Sequence, residues 1–275
     1  MDRKATAKET LEIMKRGTYE TRGRTVDIMK QHRASVDNSL LFTPEQAETL
    51  AATYAKGEPS GKLPVMKTMD CSTVDAILRL AGDGVADPGV LNFASAKNPG
   101  GGFINGAMAQ EESLAASSGL YRTLTVHEEY YRNNRACPSM MYTDHAIYSP
   151  EVVFFRDGGF RLLEKPFTSS VLTLPAVNMG QVLLKGEDCD TAERVMRRRM
   201  KLTLAVFAER GAKNLVLGAY GCGVFRNDPV KIAAWWEELL SGEFKGVFEQ
   251  IVFAVLDRSK NKACLNAFAY YGVLC

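Results

Sequence analysis

Short, continuous runs of apolar residues constrain the fold of this chain more than any other feature. Side chains on both faces of such a run need apolar neighbours, so the runs are typical of interior strands covered on both sides. They occur at 90–94, 170–174, 214–218 and 251–256. A sheet built from them must lie between two layers of other structure.

Longer stretches with helical spacing of apolar residues separate these runs, at 72–82, 111–124, 191–210 and 228–240. Alternating strands and helices predict an α/β fold in which helices pack on a mostly parallel sheet. Residues 1–56 have a helical and rather basic pattern, with Thr43 as a cap and Pro44 at the first helical position. We therefore expect one domain over 1–275, with 1–60 as a helical extension packed on it.

Composition narrows the choice of partners and compartment. The 275 residues carry a formal net charge of +2, which is too small to favour duplex nucleic acid, although a polyanion can bind through local contacts. No apolar run approaches the roughly 18 residues of a membrane span, and the charged N-terminus lacks a signal-peptide core. Six cysteines without a CxxC pair suit a reducing compartment. We expect an intracellular monomer, cytoplasmic or, in a eukaryote, also nuclear, with no membrane partner, no metal and no cofactor.

Three consecutive glycines, Gly100, Gly101 and Gly102, follow the run at 90–94. Glycine loses much conformational entropy on folding, so a simple tight turn seldom uses three. Glycines let the backbone approach a ligand closely and turn its N–H groups toward an anion. The alternative is a flexible surface loop.

Gln110, Glu111 and Glu112 stand at the predicted start of the next helix. Adjacent carboxylates repel each other, although the helix dipole offsets part of this. Successive helical residues project about 100° apart, so the two glutamates can take different tasks. Glycosidic cleavage needs a proton for the leaving oxygen and then a base for water. One glutamate can supply both while the other holds a sugar hydroxyl.

A second glycine loop occupies residues 218–225, after the run that ends there and before Asp228 and Pro229, a suitable N-cap and first helical residue. A strand, a glycine turn and a helix N-terminus together form a cradle for a diphosphate. The Gly-x-x-Gly-x-Gly spacing differs from the dinucleotide fingerprint. An ordinary strand-to-helix turn explains it equally well, and Phe225 is then a core residue.

The glycines at 100–102, seven further residues and the Gln-Glu-Glu triplet at 110–112 resemble the signature of the poly(ADP-ribose) glycohydrolases, specifically their short bacterial and fungal type, in the macrodomain superfamily. Other matching segments follow in that family's order, at 10–11, 91–96, 144–150, 175–178 and 218–225. The resemblance covers nearly the whole chain. It implies a macrodomain-like three-layer α/β/α fold with a mixed sheet and with ADP-ribose in a cleft at the strand ends.

The resemblance also implies a role for each site residue. Glu112 would be the catalytic acid and base, with Glu111 as its catalytic partner. Glu111 and Asn98 would hold hydroxyls of the ribose at the scissile bond, and Gln110 would support the loop at the substrate. The partners would be poly(ADP-ribose) or ADP-ribosylated proteins, with ADP-ribose as product. The diphosphate and distal ribose would contact the first glycines and Gly221, Cys222, Gly223, Val224 and Phe225.

Two other functions remain open. A macrodomain that binds ADP-ribose without cleaving it needs both glycine loops but neither glutamate. A hydrolase of single ADP-ribose units attached to protein or nucleic acid would use the same glutamates. Whether cleavage starts at the ends of the polymer or inside it depends on tertiary structure.

Several other local sequence patterns resemble functional motifs but do not meet their requirements. His127 and Glu128 suggest the zinc motif HExxH, but Tyr131 stands where the second histidine is required. Residues 57–62 resemble a P-loop with the wrong spacing. The basic run at 197–201 is either a solvated face or a guide for a polyanion. Tyr270 and Tyr271 either close the cleft edge or pack in the core.

Overall fold

The strands form one large sheet and one small hairpin within the described residues. The computed structural model describes residues 2–55, 61–269 and 273–274 and places eight of its strands in the large sheet. The strands are β1 (Thr18–Thr21), β2 (Arg24–Asp27), β3 (Leu40–Phe42), β4 (Val65–Met69), β5 (Gly89–Phe93), β6 (Ala146–Arg156), β7 (Leu162–Leu174), β8 (Asn214–Leu217), β9 (Gln250–Ala254) and β10 (Val273–Leu274).

Helices fill most of the intervals between these strands. They are α1 (Arg3–Arg16), α2 (Met29–Asp37), α3 (Pro44–Ala55), α4 (Thr73–Gly82), α5 (Gln110–Ser117), α6 (Leu120–Thr125), α7 (Glu128–Ala136), α8 (Met179–Lys185), α9 (Cys189–Glu209), α10 (Pro229–Ser241) and α11 (Ala263–Phe268). A short 3-10 helix covers Phe103–Asn105. In the described part of the chain, no helix combines the length and the hydropathy that a membrane crossing requires.

The large sheet is mixed, with the order β10-β4-β9-β8-β5-β7-β6-β3. The strands from β10 to β7 run parallel, whereas β6 is antiparallel to β7 and β3 is antiparallel to β6. The carboxyl ends of β5, β7, β8 and β9 therefore share one edge of the sheet. Both glycine loops leave the sheet at this edge.

Alternation along the strands explains how both faces are covered. Leu91, Leu172 and Leu215 point to a cluster formed with α3, α9, α10 and α11. Their neighbours Val90 and Val171 point to a second cluster formed with α4, α5, α6 and α7. Successive strand residues face opposite sides, so one apolar run serves both layers. The expected three-layer α/β fold is confirmed, and the four predicted strands correspond to β5, β7, β8 and β9.

The predicted helix at 111–124 is two helices. The first, α5, ends at Ser117, and α6 begins at Leu120. Ser118 is extended and pairs with Phe154 of β6, while the N–H of Gly119 donates to the Val153 carbonyl. A Cβ on Gly119 would lie 2.5 Å from His32 Nδ1, so glycine permits this close approach. At Ser118 and Gly119 the backbone therefore pairs with the sheet instead of continuing the helix.

The N-terminal segment contains the expected helices, and α3 begins at Pro44 after Thr43 as predicted. The expected helical extension is present, and it also contains strands that the sequence did not predict: β1 and β2 form a hairpin and β3 joins the edge of the large sheet. The hairpin turns at Arg22 and Gly23, both with positive φ. Residues 56–60, Tyr270 and Tyr271 lie outside the described residues.

The basic run at 197–201 is paired with acidic residues. Arg197 contacts Glu238 and Lys201 contacts Glu243, and both Arg198 and Arg199 contact Asp144. Three carboxylates therefore offset most of the charge of these four cations, which argues against a role in guiding a polyanion.

Arg199 is not a surface residue at all. Its side chain is fully buried, and its guanidinium donates to Asp144 Oδ1 at 2.7 Å, to the Pro175 carbonyl at 3.0 Å and to the Thr143 carbonyl at 3.1 Å. It ties α9 to the segment that follows β7 and to the segment that precedes β6. This role could not be predicted from the sequence, because the spacing of apolar residues in α9 does not show that Arg199 is buried.

We expect Arg199→Met to lower the free energy of unfolding by about 3 kcal/mol or more, because two carbonyls and part of a carboxylate lose a buried donor. Arg198→Met is the matched control, since Arg198 binds the same Asp144 but is 54% exposed. It should change stability by about 1 kcal/mol or less. Urea unfolding of both variants measures the difference, and equal losses would contradict the assignment.

Candidate active site

The two glycine loops leave neighbouring strands at the same edge of the sheet. β5 pairs with β8 at Gly89 and Val90, and the strands then diverge. At the divergence the Phe93 ring packs against the Tyr220 ring, with 5.5 Å between centroids. Tyr220 is buried and its hydroxyl donates to the Leu174 carbonyl at 2.9 Å, which ties the second loop to β7. The second loop is thus held next to the end of β5, from which the first loop departs.

The first loop folds back on itself through its glycines. Gly100 and Gly101 have φ of +66° and +60°, a conformation that side-chain-bearing residues rarely adopt. The Gly101 N–H donates to the Asn98 carbonyl at 3.0 Å, and the Asn98 N–H donates to Ser95 Oγ at 3.1 Å. These bonds leave the Asn98 side chain exposed at the mouth of the loop, where it is accessible to a ligand.

Gln110 acts as a substitute for the diverging strand. Its Oε1 accepts from the Phe93 N–H at 2.8 Å, and its Nε2 donates to the Leu91 carbonyl at 2.8 Å. These are the backbone groups of β5 that β8 no longer reaches. The side-chain amide is thus held by the sheet, and Gln110 positions the start of α5 against β5.

Glu111 points into the protein. It is 3% exposed, and its Oε2 accepts from the Ser95 N–H at 2.7 Å. The Asn92 side chain donates to Oε1 at 3.3 Å, and the Gly100 N–H also reaches the carboxylate. Burial raises the pKa of Glu111 to about 8, because desolvation disfavours the charged form more than these donors favour it, and the nearby Glu112 adds to the rise.

Glu112 projects to the other side and is half-buried at the loop. Its Oε1 accepts from the Gly102 N–H at 2.9 Å and its Oε2 from the Ala109 N–H at 3.0 Å. A Cβ on Gly101 would lie 2.3 Å from Glu112 Oε1 and 3.1 Å from Glu111 Oε2. Gly101 therefore lies against both carboxylates, and the glycine loop and the glutamate pair form one unit.

The second loop presents backbone groups rather than side chains. Gly221 has φ of +72°, and a Cβ there would lie 2.6 Å from Asn227 Nδ2, which fastens the loop by donating to the Val177 carbonyl. Gly223 and Val224 are exposed. Within the described residues, no acceptor pairs with the N–H groups of Gly223, Val224 or Phe225. Asp228 caps α10 and Pro229 opens it, as predicted.

Phe225 and Cys222 lie partly inside the protein. The Phe225 ring packs on the edge of the core and 6.1 Å from the Tyr142 ring, with its remaining surface open. Contact with the Cys264 thiol and burial both raise the pKa of Cys222, so its thiol is poorly suited to act as a nucleophile. Among the described residues, no group of three or more His, Cys, Asp or Glu side chains is arranged to hold a metal ion.

The structure adds two residues to the predicted set. Asn92 stands in the middle of a buried strand and contacts Glu111, and Ser95 binds Glu111 through its N–H and the Asn98 N–H through its hydroxyl. A lone asparagine in an otherwise apolar strand is a signal for a buried polar partner. The residue itself was visible in the sequence, but the identity of its partner was not.

Comparisons with known proteins agree on one family. A family model described as the catalytic domain of microbial-type PARG matches residues 7–157. Poly(ADP-ribose) glycohydrolase (PARG) from Thermomonospora curvata is 39% identical over 98% of this chain and 98% of that chain, with a TM-score of 0.93. The structure of that enzyme bound to the inhibitor ADP-HPD is also 39% identical over 98% of this chain and 98% of that chain, with a TM-score of 0.90.

A second relative is PARG from Deinococcus radiodurans in complex with ADP-ribose. It is 43% identical over 87% of this chain and 96% of that chain, with a TM-score of 0.82. No match was found among curated proteins.

We expect Gly101→Ala to lower the free energy of unfolding by about 1–3 kcal/mol, since a positive φ is strained and Glu112 must leave its two N–H donors. Gly223→Ala is the control, because a Cβ there meets no atom within 4 Å. It should change stability by less than about 0.5 kcal/mol. Urea unfolding measures both, and a neutral Gly101→Ala would contradict the geometry.

A second prediction concerns pH. The Glu111 carboxyl titrates near 4.5 in the unfolded chain and near 8 in the folded one, so between these values the folded protein holds the extra proton. The free energy of unfolding therefore falls as pH rises through this window, by at most about 1.4 kcal/mol per unit. Glu111→Gln should flatten this part of the slope. Urea unfolding across the window compares the two proteins, and parallel curves would refute the shift.

Proposed function

We propose that this chain, which belongs to the microbial-type PARG family, cleaves the ribose–ribose O-glycosidic bond of poly(ADP-ribose) with Glu112 as its general acid and base. The observation that carries the residue assignment is the placement of the Glu112 carboxylate. Two backbone N–H groups hold it at the glycine loop, beside a buried second carboxyl group. The released product is ADP-ribose.

The relatives support ADP-ribose as the ligand. The Deinococcus radiodurans enzyme is described in complex with ADP-ribose, and the Thermomonospora curvata enzyme with the inhibitor ADP-HPD. In this chain the unpaired N–H groups of Gly223, Val224 and Phe225 suit the oxygens of a diphosphate. Phe225 offers its open surface to the distal ribose. The exposed Asn98 side chain holds a hydroxyl of the ribose at the scissile bond.

Cleavage requires one proton to be delivered and one to be recovered. Protonated Glu112 donates its proton to the oxygen of the leaving ribose as the bond to the anomeric carbon breaks. The resulting carboxylate lies beside an oxocarbenium-like centre and stabilises its positive charge. It then takes a proton from water as the water oxygen bonds to the anomeric carbon. Glu112 ends the cycle protonated, and the products are a shortened polymer and ADP-ribose.

Glu111 has a different task because its environment differs. Its raised pKa of about 8 leaves it protonated at neutral pH, so it can both donate to and accept from a ribose hydroxyl. Burial keeps it away from the leaving oxygen. The site therefore needs only one change of charge during the reaction, and that change occurs on Glu112.

We extend the proposal to the partners, the compartment and the oligomeric state of the protein. A net charge of +2 and an acid-paired basic run do not favour duplex nucleic acid as a partner. The described cysteines are free thiols, which suits a reducing intracellular compartment. We propose that the chain works there as a monomer.

Glu112→Gln should lower kcat on poly(ADP-ribose) by at least about 100-fold, because the variant cannot exchange the proton. Calorimetric binding of ADP-ribose should persist, since the amide keeps the side-chain shape. Glu128→Gln is the matched control, as Glu128 and Glu129 form a similar acidic pair in the first turn of α7. It should retain full activity.

The wild type also separates the alternatives. If the protein binds ADP-ribose but releases none from polymer, it is a binding module. If it releases ADP-ribose only from proteins that carry single units, it is a mono-ADP-ribosyl hydrolase. Full turnover by Glu112→Gln would refute the role given to Glu112.

A further inference from the structure

The start of α1 lies beside Glu112. A small cleft next to its carboxylate is lined by Arg3 and Thr6 of α1 and by Ala107 and Met108, which precede α5. Gly106, with φ of +79°, brings the two segments together, since a Cβ there would lie 3.4 Å from Arg3 Cβ and 3.2 Å from Lys4 Cγ. The N-terminal helix therefore forms part of the rim of the active site.

This end of α1 carries unneutralised positive charge. Arg3, Lys4 and Lys8 are exposed, and none of them forms an ion pair with a described residue. The nearby acids are engaged elsewhere: the Asp2 carboxylate accepts from the Lys4 and Ala5 N–H groups as the N-cap, and Glu9 pairs with the buried Arg156 at 2.6 Å. In contrast to the basic run of α9, these three cations remain available to an anion.

Exposed apolar surface lies next to this charge. Ile104 is 47% exposed and Met108 is 42% exposed, on the segment between the glycines and α5. Large apolar side chains on a rim beside a catalytic carboxylate provide a surface that a flat aromatic ring can cover. Cations and apolar side chains are thus placed side by side.

We propose that Arg3, Lys4, Lys8, Ile104 and Met108, which we call the leaving-side surface, bind the ADP-ribose unit on the leaving side of the scissile bond. The inference rests on the proposed function. When Glu112 protonates the leaving oxygen, that oxygen belongs to the adenosine of the next unit in the polymer. An adenine ring and a diphosphate therefore follow directly beyond Glu112. Ile104 and Met108 match the ring, and the three cations match the diphosphate.

The surface has a consequence for specificity. ADP-ribose itself fills only the side of Glu112 that faces the two glycine loops. A substrate with a small leaving group does not reach the leaving-side surface, whereas a polymer does. The surface should therefore contribute to kcat/KM for polymer and to nothing else.

The test compares two substrates: poly(ADP-ribose), and ADP-ribose with a 4-nitrophenyl group at the anomeric carbon. The variant Arg3→Gln/Lys4→Gln/Lys8→Gln should lose about 10-fold or more in kcat/KM on polymer at low salt. Its log–log salt dependence should become shallower by about 0.7 for each phosphate that the variant no longer neutralises. Turnover of the nitrophenyl substrate should not change, which also shows that the variant is folded.

A control variant removes the same charge elsewhere on the surface. Arg24, Lys30 and Lys165 are exposed and do not line the cleft beside Glu112, so their joint change to Gln should leave both substrates unaffected. Ile104→Ser tests the apolar part and should raise KM for polymer alone, because Ile104 is exposed but does not line the cleft next to Glu112.

Each other outcome overturns the inference. Unchanged polymer kinetics in the α1 variant would show that the leaving-side surface does not bind the polymer. Equal losses in the control variant would show that only the net charge of the protein matters. Loss on both substrates would mean that α1 acts on the catalytic centre itself. If the wild type cleaves neither substrate, the proposed function fails and the inference falls with it. Cleavage of the nitrophenyl substrate but not of polymer would reject the polymer as substrate.

Discussion

The two adjacent carboxyl groups at the start of α5 are held by different parts of the backbone. Glu111 turns inward to the N–H groups of Ser95 and Gly100, and Glu112 turns outward to those of Gly102 and Ala109. All four donors come from the loop and cap around α5. The loop must therefore fold back across the helix start, and it can do so only if Gly101, which lies against both carboxylates, has no side chain.

The rest of the fold keeps this arrangement in place. β5 diverges from β8 just before the loop, which would leave its last backbone groups unpaired, and the Gln110 amide takes the place of the missing strand. An unpaired buried backbone group costs about as much as a lost hydrogen bond. The same divergence opens the gap between the loops in which a ligand can lie. Gln110 therefore contributes both to the stability of the sheet and to the formation of the site. A substitution of Gln110 should affect both.

Much of this could be predicted from the sequence, because some signals are local and others are not. The apolar runs identify the four interior strands, since any run of that kind needs cover on both faces, and the glycines and the glutamate pair identify the site. The hairpin of β1 and β2 and the edge strand β3 were not predicted, because short half-exposed strands are stabilised by their partners rather than by their own pattern. The burial of Arg199 and the inward turn of Glu111 also depend on residues distant in sequence, such as Asp144.

The energetics of Glu111 bear on whether the site acts or only binds. A carboxyl group whose folded pKa lies near 8 makes the protein less stable at neutral pH than it would be with a neutral side chain in the same place. Glutamine has nearly the same shape without that penalty, although it offers one acceptor oxygen where Glu111 accepts N–H groups on both. Carboxyl groups with strongly raised pKa values are enriched at sites of catalysis. A module that merely held ADP-ribose could use fixed donors and acceptors, whereas a catalytic acid beside a second carboxyl group benefits from a neighbour that stays neutral. The buried Glu111 carboxyl group beside Glu112, with its raised pKa, therefore supports catalysis on grounds separate from the family to which the chain belongs.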